Sequence, residues 1–195
     1  MITRNRLIYL IAAIVAIGAT AAIVMVFYTG SSQATDWAFG EALTIRVKEM
    51  RLVEEVYYSI EENHYVVRPS QQDKMIAGAH IELRNQKAGF VVLDITETAA
   101  RLRDSEFLDY QPLNPFKQRT AIDKEAAGEE LLVPFLWADG SAETPTIQLN
   151  QICDAAGSPC ELVGWLFFEV PKDIEYYQFI WETGDNVYMP FSGTR

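Results

Sequence analysis

The longest uninterrupted apolar run of the chain covers residues 7–28. It contains no charged side chain, and Arg4 and Arg6 stand just before it. As an α-helix it would extend about 33 Å, enough to cross a hydrocarbon core of about 30 Å. Positive charge is retained on the cytoplasmic side of a membrane. The sequence therefore predicts a single-pass protein of the inner (cell) membrane, with residues 1–6 cytoplasmic, residues 29–40 as a polar tether, and the rest periplasmic or extracellular.

A cleaved signal peptide is the alternative interpretation of this run. Ala19, Thr20 and Ala21 form a small-x-small pattern of the kind at which signal peptides are cut. Residues 23–28 continue the apolar run beyond that point and bring it to spanning length. We therefore favour an uncleaved anchor embedded in the lipid bilayer.

Small side chains recur along the predicted span at helical spacing. Ala12 and Ala16 are four residues apart, as are Gly18 and Ala22. Such pairs allow another membrane helix to approach closely, so these four residues are candidate contacts with integral membrane protein subunits. An ordinary alanine-rich anchor would also contain them.

Beyond residue 40 the pattern changes to short apolar or alternating runs that predict β-strands. Turn-forming residues separate the runs, and one domain over residues 41–195 accommodates them. Their number, without alternating helices, predicts an all-β antiparallel β-sandwich. The predicted strands are residues 42–50, 52–60, 64–68, 79–84, 90–96, 131–137, 146–152, 162–170, 174–181 and 187–191.

Two segments depart from this strand pattern. Residues 98–107 include good helix formers and predict one short helix. Residues 109–128 are the least regular part of the domain and predict an insertion loop. A long loop on a rigid scaffold often carries binding, although a flexible insertion without a role is the equal alternative.

Three segments resemble a family of telokin-like immunoglobulin-fold domains of unknown function, found in exported and membrane-anchored prokaryotic proteins. They are FVVLDIT at residues 90–96, GWLFFEVPKD at 164–173 and IEYYQFI at 174–180. The family's first strand ends in asparagine, where this chain has Glu97 or Thr98, and the spacer between the motifs is longer here. The resemblance implies an immunoglobulin-like sandwich in an extracytoplasmic setting, with no shared catalytic residues.

The charge balance limits the possible partners. The chain has 16 basic and 27 acidic residues, and without Arg4 and Arg6 the exported part has 14 against 27, a net charge of −13. Such a surface repels phosphate backbones and anionic headgroups, which argues against nucleic-acid binding. A basic soluble protein is a possible partner, and solubility alone is the simpler explanation of the charge.

Cys153 and Cys160 are the two cysteines of the chain. The six residues between them include Gly157 and Pro159 and predict a turn. In an oxidising compartment the expected state is a structural disulfide between them. A redox pair would more usually read C-x-x-C, and two thiols without a nearby histidine are a poor zinc site.

Candidate chemistry is sparse. His64 and His80 each lie in a predicted strand without a second histidine at metal-ligand spacing, so we expect structural roles for both. Asp104, Glu106 and Asp109 alternate in a way that would suit Ca²⁺, but the segment lacks the features of an EF-type loop. We therefore expect no catalytic, cofactor-binding or metal-binding residues.

Aromatic residues supply the candidate interface. Trp37 and Phe39 lie near the predicted membrane surface, and Tyr58 and Tyr177 each belong to a tyrosine pair of which one member should face outward. The expected function is that of a non-catalytic accessory subunit that covers the outer face of a membrane complex, for instance a respiratory or photosynthetic one. A freestanding anchored binding module for a soluble ligand or basic protein is the alternative, and an enzyme is the least favoured.

Overall fold

A computed structural model of the chain describes residues 34–128, 130–138, 147–151 and 159–191. The predicted span at residues 7–28 and its packing residues Ala12, Ala16, Gly18 and Ala22 lie outside these ranges and stay predictions. Cys153 also lies outside them, so the disulfide with Cys160 stays a prediction. Among the described residues, no helix combines the length and the apolar character that a membrane crossing needs.

The described residues form fourteen β-strands, and every strand pair is antiparallel. The one helical element in this part of the chain is a 3-10 turn at Lys124–Ala126. The predicted all-β antiparallel class is thus confirmed. The strands are β1 (Ala38–Phe39), β2 (Leu43–Val53), β3 (Val56–Ile60), β4 (Asn63–Val67), β5 (Lys74–Asn85), β6 (Phe90–Leu93), β7 (Ala100–Asp104), β8 (Asp109–Tyr110), β9 (Pro112–Leu113), β10 (Arg119–Ile122), β11 (Ile147–Asn150), β12 (Glu161–Pro171), β13 (Tyr176–Trp181) and β14 (Val187–Pro190).

Strand β5 lies at the centre of the large sheet, whose order is β1-β2-β5-β12-β9. It pairs with β12 from Arg84 opposite Glu161 to Lys74 opposite Pro171, and with β2 along its other edge. Successive side chains of a strand point to opposite faces. The large sheet therefore presents two distinct surfaces, and each has its own apolar core.

The inner face of the large sheet forms the main core. Two smaller assemblies contribute to this core, a four-stranded sheet of order β14-β13-β7-β8 and a two-stranded ribbon of β11 and β6. Apolar side chains enclosed between sheets are the arrangement of β-sandwiches. Prominent members of the main core are Ile45, Ile81, Leu93, Leu102, Leu149, Leu166, Phe168, Phe179 and Trp181.

A second core lies on the opposite face of β12. The three-stranded sheet of order β10-β4-β3 contributes Val56, Tyr58 and Val67 to it, and β12 contributes Trp165 and Phe167. The strand β12 is thus apolar on both faces. This explains why its sequence is almost continuously apolar rather than alternating.

The short helix predicted at residues 98–107 is wrong, because that segment contains the strand β7. Ala100, Leu102 and Asp104 of β7 are buried, whereas Arg101 and Arg103 between them are half-buried. This alternation places one face on the core and leaves the other for ion pairs. Pairing with β13 and β8 therefore overrides the local helix propensity.

The insertion loop predicted at residues 109–128 is also wrong in its main feature. Strand β8 pairs with β7, β9 pairs with β12, and β10 pairs with β4 along four residues. The prolines Pro112 and Pro115 favour irregular structure in the sequence, but both are buried in the fold. The segment thus contributes a strand to each of three sheets instead of forming one loop.

Other boundaries differ from the prediction as well. Residues 52–60 are divided between β2 and β3, and residues 131–137 make a single bridge, Pro134 with Trp165, instead of a strand. The predicted tether ends earlier than residue 40, because Thr35 is buried and its N–H donates to the Val47 carbonyl at 2.9 Å.

Candidate functional site

On the outer face of the large sheet, two guanidinium groups lie against one indole. Trp37 precedes β1, Arg46 lies on β2 and Arg84 lies on β5. The guanidinium carbons are 4.6 and 4.8 Å from the ring centroid of Trp37. Both distances are within the range of cation–π attraction, so Trp37 is fixed on the sheet.

A buried carboxylate holds these two arginines in place. The Glu82 side chain is 4% exposed and accepts hydrogen bonds from Arg46 Nε at 3.0 Å, Arg46 Nη2 at 2.6 Å and Arg84 Nη2 at 2.7 Å. Burial alone would raise the pKa of Glu82, but the hydrogen bonds and charge of Arg46 and the charge of Arg84 outweigh it and lower the pKa. Glu82 therefore remains ionised and orients both guanidinium groups.

A second aromatic and charged cluster lies farther along the same face. The imidazole of His80 stacks on the indole of Trp165, and Arg51 lies 5.3 Å from the centroid of that indole. Arg51 also forms ion pairs with Glu49 and Glu130. The hydrogen bonds that Arg51 donates to Glu49 and then to Glu130 raise the pKa of Arg51, so this guanidinium stays charged.

The segment of residues 130–138 extends the large sheet beside β12. Trp165 N–H donates to the Val133 carbonyl at 3.0 Å, and Phe135 N–H donates to the Trp165 carbonyl at 3.1 Å. Phe135 points into the main core. Four other apolar side chains at this edge are exposed by 39 to 67%, and we call them the edge patch: Leu131, Val133, Leu136 and Val163.

The turn between β7 and β8 displays two more apolar side chains. Phe107 is 65% exposed and Leu108 is 54% exposed. One carboxylate oxygen of Asp104 accepts hydrogen bonds from the N–H groups of Glu106 and Leu108, both at 2.9 Å, and the other accepts one from the Tyr110 hydroxyl at 2.8 Å. The buried Asp104 thus shapes this turn.

The calcium cluster considered from the sequence is not assembled. Asp104 is occupied by its own turn, and Asp109 forms ion pairs with Arg101 and Arg103 on the outer face of the four-stranded sheet. Asp109 accepts hydrogen bonds from both guanidinium groups, and these bonds, of which the one from Arg103 has the largest effect, lower the pKa of Asp109 despite its partial burial. Among the described residues, no three histidine, cysteine or acidic side chains are grouped so that they could hold a metal ion.

The two histidines are separated in the fold. His64 lies on β4 of the three-stranded sheet and His80 on β5 of the large sheet. Burial, followed by the charge of Lys48, lowers the pKa of His80. Nδ1 of His64 is buried and has no hydrogen-bond partner within the described part of the chain. The expectation of a fully satisfied structural histidine therefore does not hold for His64.

The four predicted interface residues differ in their exposure to solvent. Phe39 is 69% exposed, while Trp37 and Tyr177 are half-buried against Arg46 and Phe107. The outward placement of Tyr58 is wrong, because its side chain is fully buried in the second core and its hydroxyl donates to the Pro115 carbonyl at 2.9 Å.

Sequence reasoning missed the edge patch and the apolar pair of the β7–β8 turn. Residues 131–137 predict a buried strand because the run is apolar at almost every position. The segment buries Leu132 in the second core and Phe135 in the main core. It leaves Val133 and Leu136 exposed, and no local pattern signals which positions do so. Phe107 and Leu108 form an apolar pair between Glu106 and Asp109, which is the one signal that could have marked them.

No family model, curated protein or solved structure matches this chain. The resemblance to telokin-like domains is therefore neither supported nor opposed by these comparisons.

Proposed function

We propose that this chain is a non-catalytic, single-pass accessory subunit of a larger membrane protein complex. In this proposal residues 7–28 form the membrane helix, and the β domain is an immunoglobulin-like sandwich that covers the extracytoplasmic face of the complex. Its role is to stabilise the assembly. The proposal combines the apolar run and its preceding arginines with the surface features of the domain.

The edge patch is the observation that carries the proposal. Apolar side chains exposed together are informative, whereas scattered ones are ordinary. Val133 and Leu136 lie on a segment bonded to the backbone of Trp165, and Val163 lies two residues before Trp165 on β12. Arg51, which is 28% exposed and pairs with Glu130 next to Leu131, belongs to a residue type that is enriched at the energetic centres of protein interfaces. Such a surface suits a protein partner.

The length of the linker also supports a subunit over a freestanding module. Six residues, 29–34, separate the predicted span from Thr35, which is buried in the domain and bonded to the Val47 carbonyl. Six residues extend at most about 22 Å. A longer tether would let a freestanding module reach soluble ligands farther from the membrane. A subunit that binds other membrane subunits needs only a short one.

Two double variants of the full chain test the proposal. Val133→Ser with Leu136→Ser removes the most exposed part of the edge patch. Phe90→Ser with Val92→Ser is the matched control, because these two residues are also exposed apolar side chains but lie on the ribbon strand β6. Membranes containing each protein are solubilised in a mild detergent and separated by native electrophoresis.

The wild-type chain and the ribbon control should migrate together with other membrane proteins, and the edge variant should migrate alone. Wild-type protein that migrates alone would refute the accessory role. Equal retention of both double variants would refute the edge patch as the docking surface. Loss of both would show that general surface hydrophobicity, not this patch, holds the assembly.

A further inference from the structure

The β7–β8 turn presents an apolar tip that the fold does not need for its own cores. Phe107 and Leu108 are both more than half exposed, and neither belongs to the main or second core. The ring of Phe107 contacts that of Tyr177 edge to face, with centroids 5.1 Å apart and planes inclined by 60°. This contact orients the phenyl ring without burying it.

The chain holds this tip in a costly conformation. Phe107 has a φ of 65°, which lies in the left-handed region that bulky residues avoid. The turn is nevertheless closed by Phe107 N–H bonding to the Asp104 carbonyl and by Asp104 N–H bonding to the Leu108 carbonyl, both at 3.1 Å. Glycine would adopt this φ without strain, so the turn itself does not require a bulky side chain at this position.

A cleft of about 390 Å³ adjoins the tip and shares Leu108 with it. Leu108, Pro171 and Ile174 supply apolar lining, and no lysine or arginine lines the cleft. Burial, then Asp104 and more distant carboxylates, raises the pKa of Tyr110 in this cleft to about 12. The exposed carboxylates at its rim are Glu106, Asp173 and Glu175.

We propose that the apolar tip and this cleft together form a docking site for a basic segment of a partner protein. An apolar side chain of the segment packs on Phe107 and Leu108, and a neighbouring lysine or arginine enters the acidic cleft. Charge complementarity selects this occupant, because an anionic lipid surface would be repelled by the same carboxylates. The inference does not depend on the accessory role, since it concerns a different surface from the edge patch.

The hydrogen bonds of Asp104 favour a cationic side chain over a metal ion in this cleft. Its two carboxylate oxygens already accept three hydrogen bonds from the turn and from Tyr110. The remaining rim carboxylates are spread over two turns: Glu106 lies between β7 and β8, and Asp173 and Glu175 lie between β12 and β13. An ammonium or guanidinium group can use such dispersed acceptors, whereas Ca²⁺ needs six to eight oxygens converging on one point.

Peptide binding to the full chain in nonionic detergent tests this site. The probe is a fluorescently labelled peptide of leucine and lysine, compared with one of leucine and glutamate and with Ca²⁺, and the readout is fluorescence anisotropy. One site variant is Leu108→Ser, and the other combines Glu106→Gln with Asp173→Asn. The matched control is Glu61→Gln with Glu62→Gln, which removes the same charge from the exposed β3–β4 turn.

Both site variants should weaken binding of the leucine–lysine peptide by about tenfold or more, and the control variant should weaken it by less than about twofold. Added salt should weaken the binding of this peptide to every one of these proteins. If the site and control variants weakened binding equally, the interaction would depend on net charge alone, and the proposed site would be wrong. Equal binding of the leucine–glutamate peptide would also overturn the site. If one equivalent of Ca²⁺ displaced the peptide, the cleft would be a metal-ion site and not a docking site for a basic segment.

Discussion

His80 and Trp165 stack face to face across the central strand pair, with ring centroids 4.6 Å apart and planes inclined by 7°. They are direct partners in the register of β5 and β12. Arg51 lies over the same indole. A neutral imidazole suits this position, because a second cation on the ring would repel the guanidinium group.

We predict that protonation of His80 destabilises the domain. Burial and then Lys48 lower the pKa of His80 from its ordinary 6.5, so the unfolded chain takes up this proton at a higher pH than the folded one. The contribution of neutral His80 is complete above about pH 6.5 and is lost as the pH falls toward the folded-state pKa. The free energy of unfolding, measured in urea at pH 7.5 and at pH 5.5, should therefore be lower at pH 5.5. The charged groups around His80 are Lys48, Glu49, Arg51 and Glu82.

His80→Gln should therefore lose less stability between these two pH values than the wild-type chain does. His64→Gln removes the other imidazole of the chain without touching the stack and is measured alongside as the control. An unchanged pH dependence in His80→Gln would contradict the prediction.

The buried carboxylate of Glu82 leads to a second prediction. Glu82→Gln leaves Arg46 and Arg84 without their shared anion and should lower the free energy of unfolding by about 2 kcal/mol, a usual value for lost hydrogen bonds to a charged group. The loss stays moderate because the two arginine side chains are 35 and 44% exposed and remain partly hydrated. Glu161→Gln is the control, because Glu161 also pairs with Arg84 but its side chain is 40% exposed, and its cost should stay below about 1 kcal/mol. Equal losses in denaturant unfolding would show that burial of Glu82 is unimportant.

The C-terminal hairpin shows what the sequence can predict. The pattern predicts strands at residues 174–181 and 187–191, and β13 and β14 occupy Tyr176–Trp181 and Val187–Pro190. Both the alternation and the turn are local signals. Gly184 adopts a φ of +70° in the turn, a conformation that glycine tolerates and other residues rarely adopt.

The candidate sites depend on pairing that no local pattern encodes. Trp37 meets Arg46 and Arg84 only because β2 and β5 pair with Arg46 opposite Glu82. The choice between the two tyrosines of β3 is equally open from sequence, since either face could be the buried one. Tyr58 is buried because the three-stranded sheet packs on the outer face of the large sheet, a layer the sequence does not reveal.

Gly164 on β12 supports a third prediction. A Cβ atom there would lie 2.8 Å from the nearest ring atom of Phe135, which is buried in the main core. Gly164→Ala should therefore destabilise the domain by about 1–3 kcal/mol, as overpacking of a core does. Gly89→Ala is the matched control, because nothing lies within 4 Å of the point that its new methyl carbon would occupy, and it should be nearly neutral in thermal unfolding. A neutral Gly164→Ala would mean that Phe135 moves freely.

Asp104 fixes the shape of the β7–β8 turn through its hydrogen bonds. Asp104→Ala removes the acceptor for the N–H groups of Glu106 and Leu108 and for the Tyr110 hydroxyl, and should lower the free energy of unfolding by about 2–3 kcal/mol. Hydrogen exchange at the Leu108 amide should accelerate, because that N–H loses its partner. Glu106→Gln is the control, since this exposed side chain does not close the turn, and it should leave both measurements almost unchanged. Slow exchange at Leu108 in Asp104→Ala would show that the backbone bonds alone hold the turn, and the left-handed Phe107 would then need another explanation.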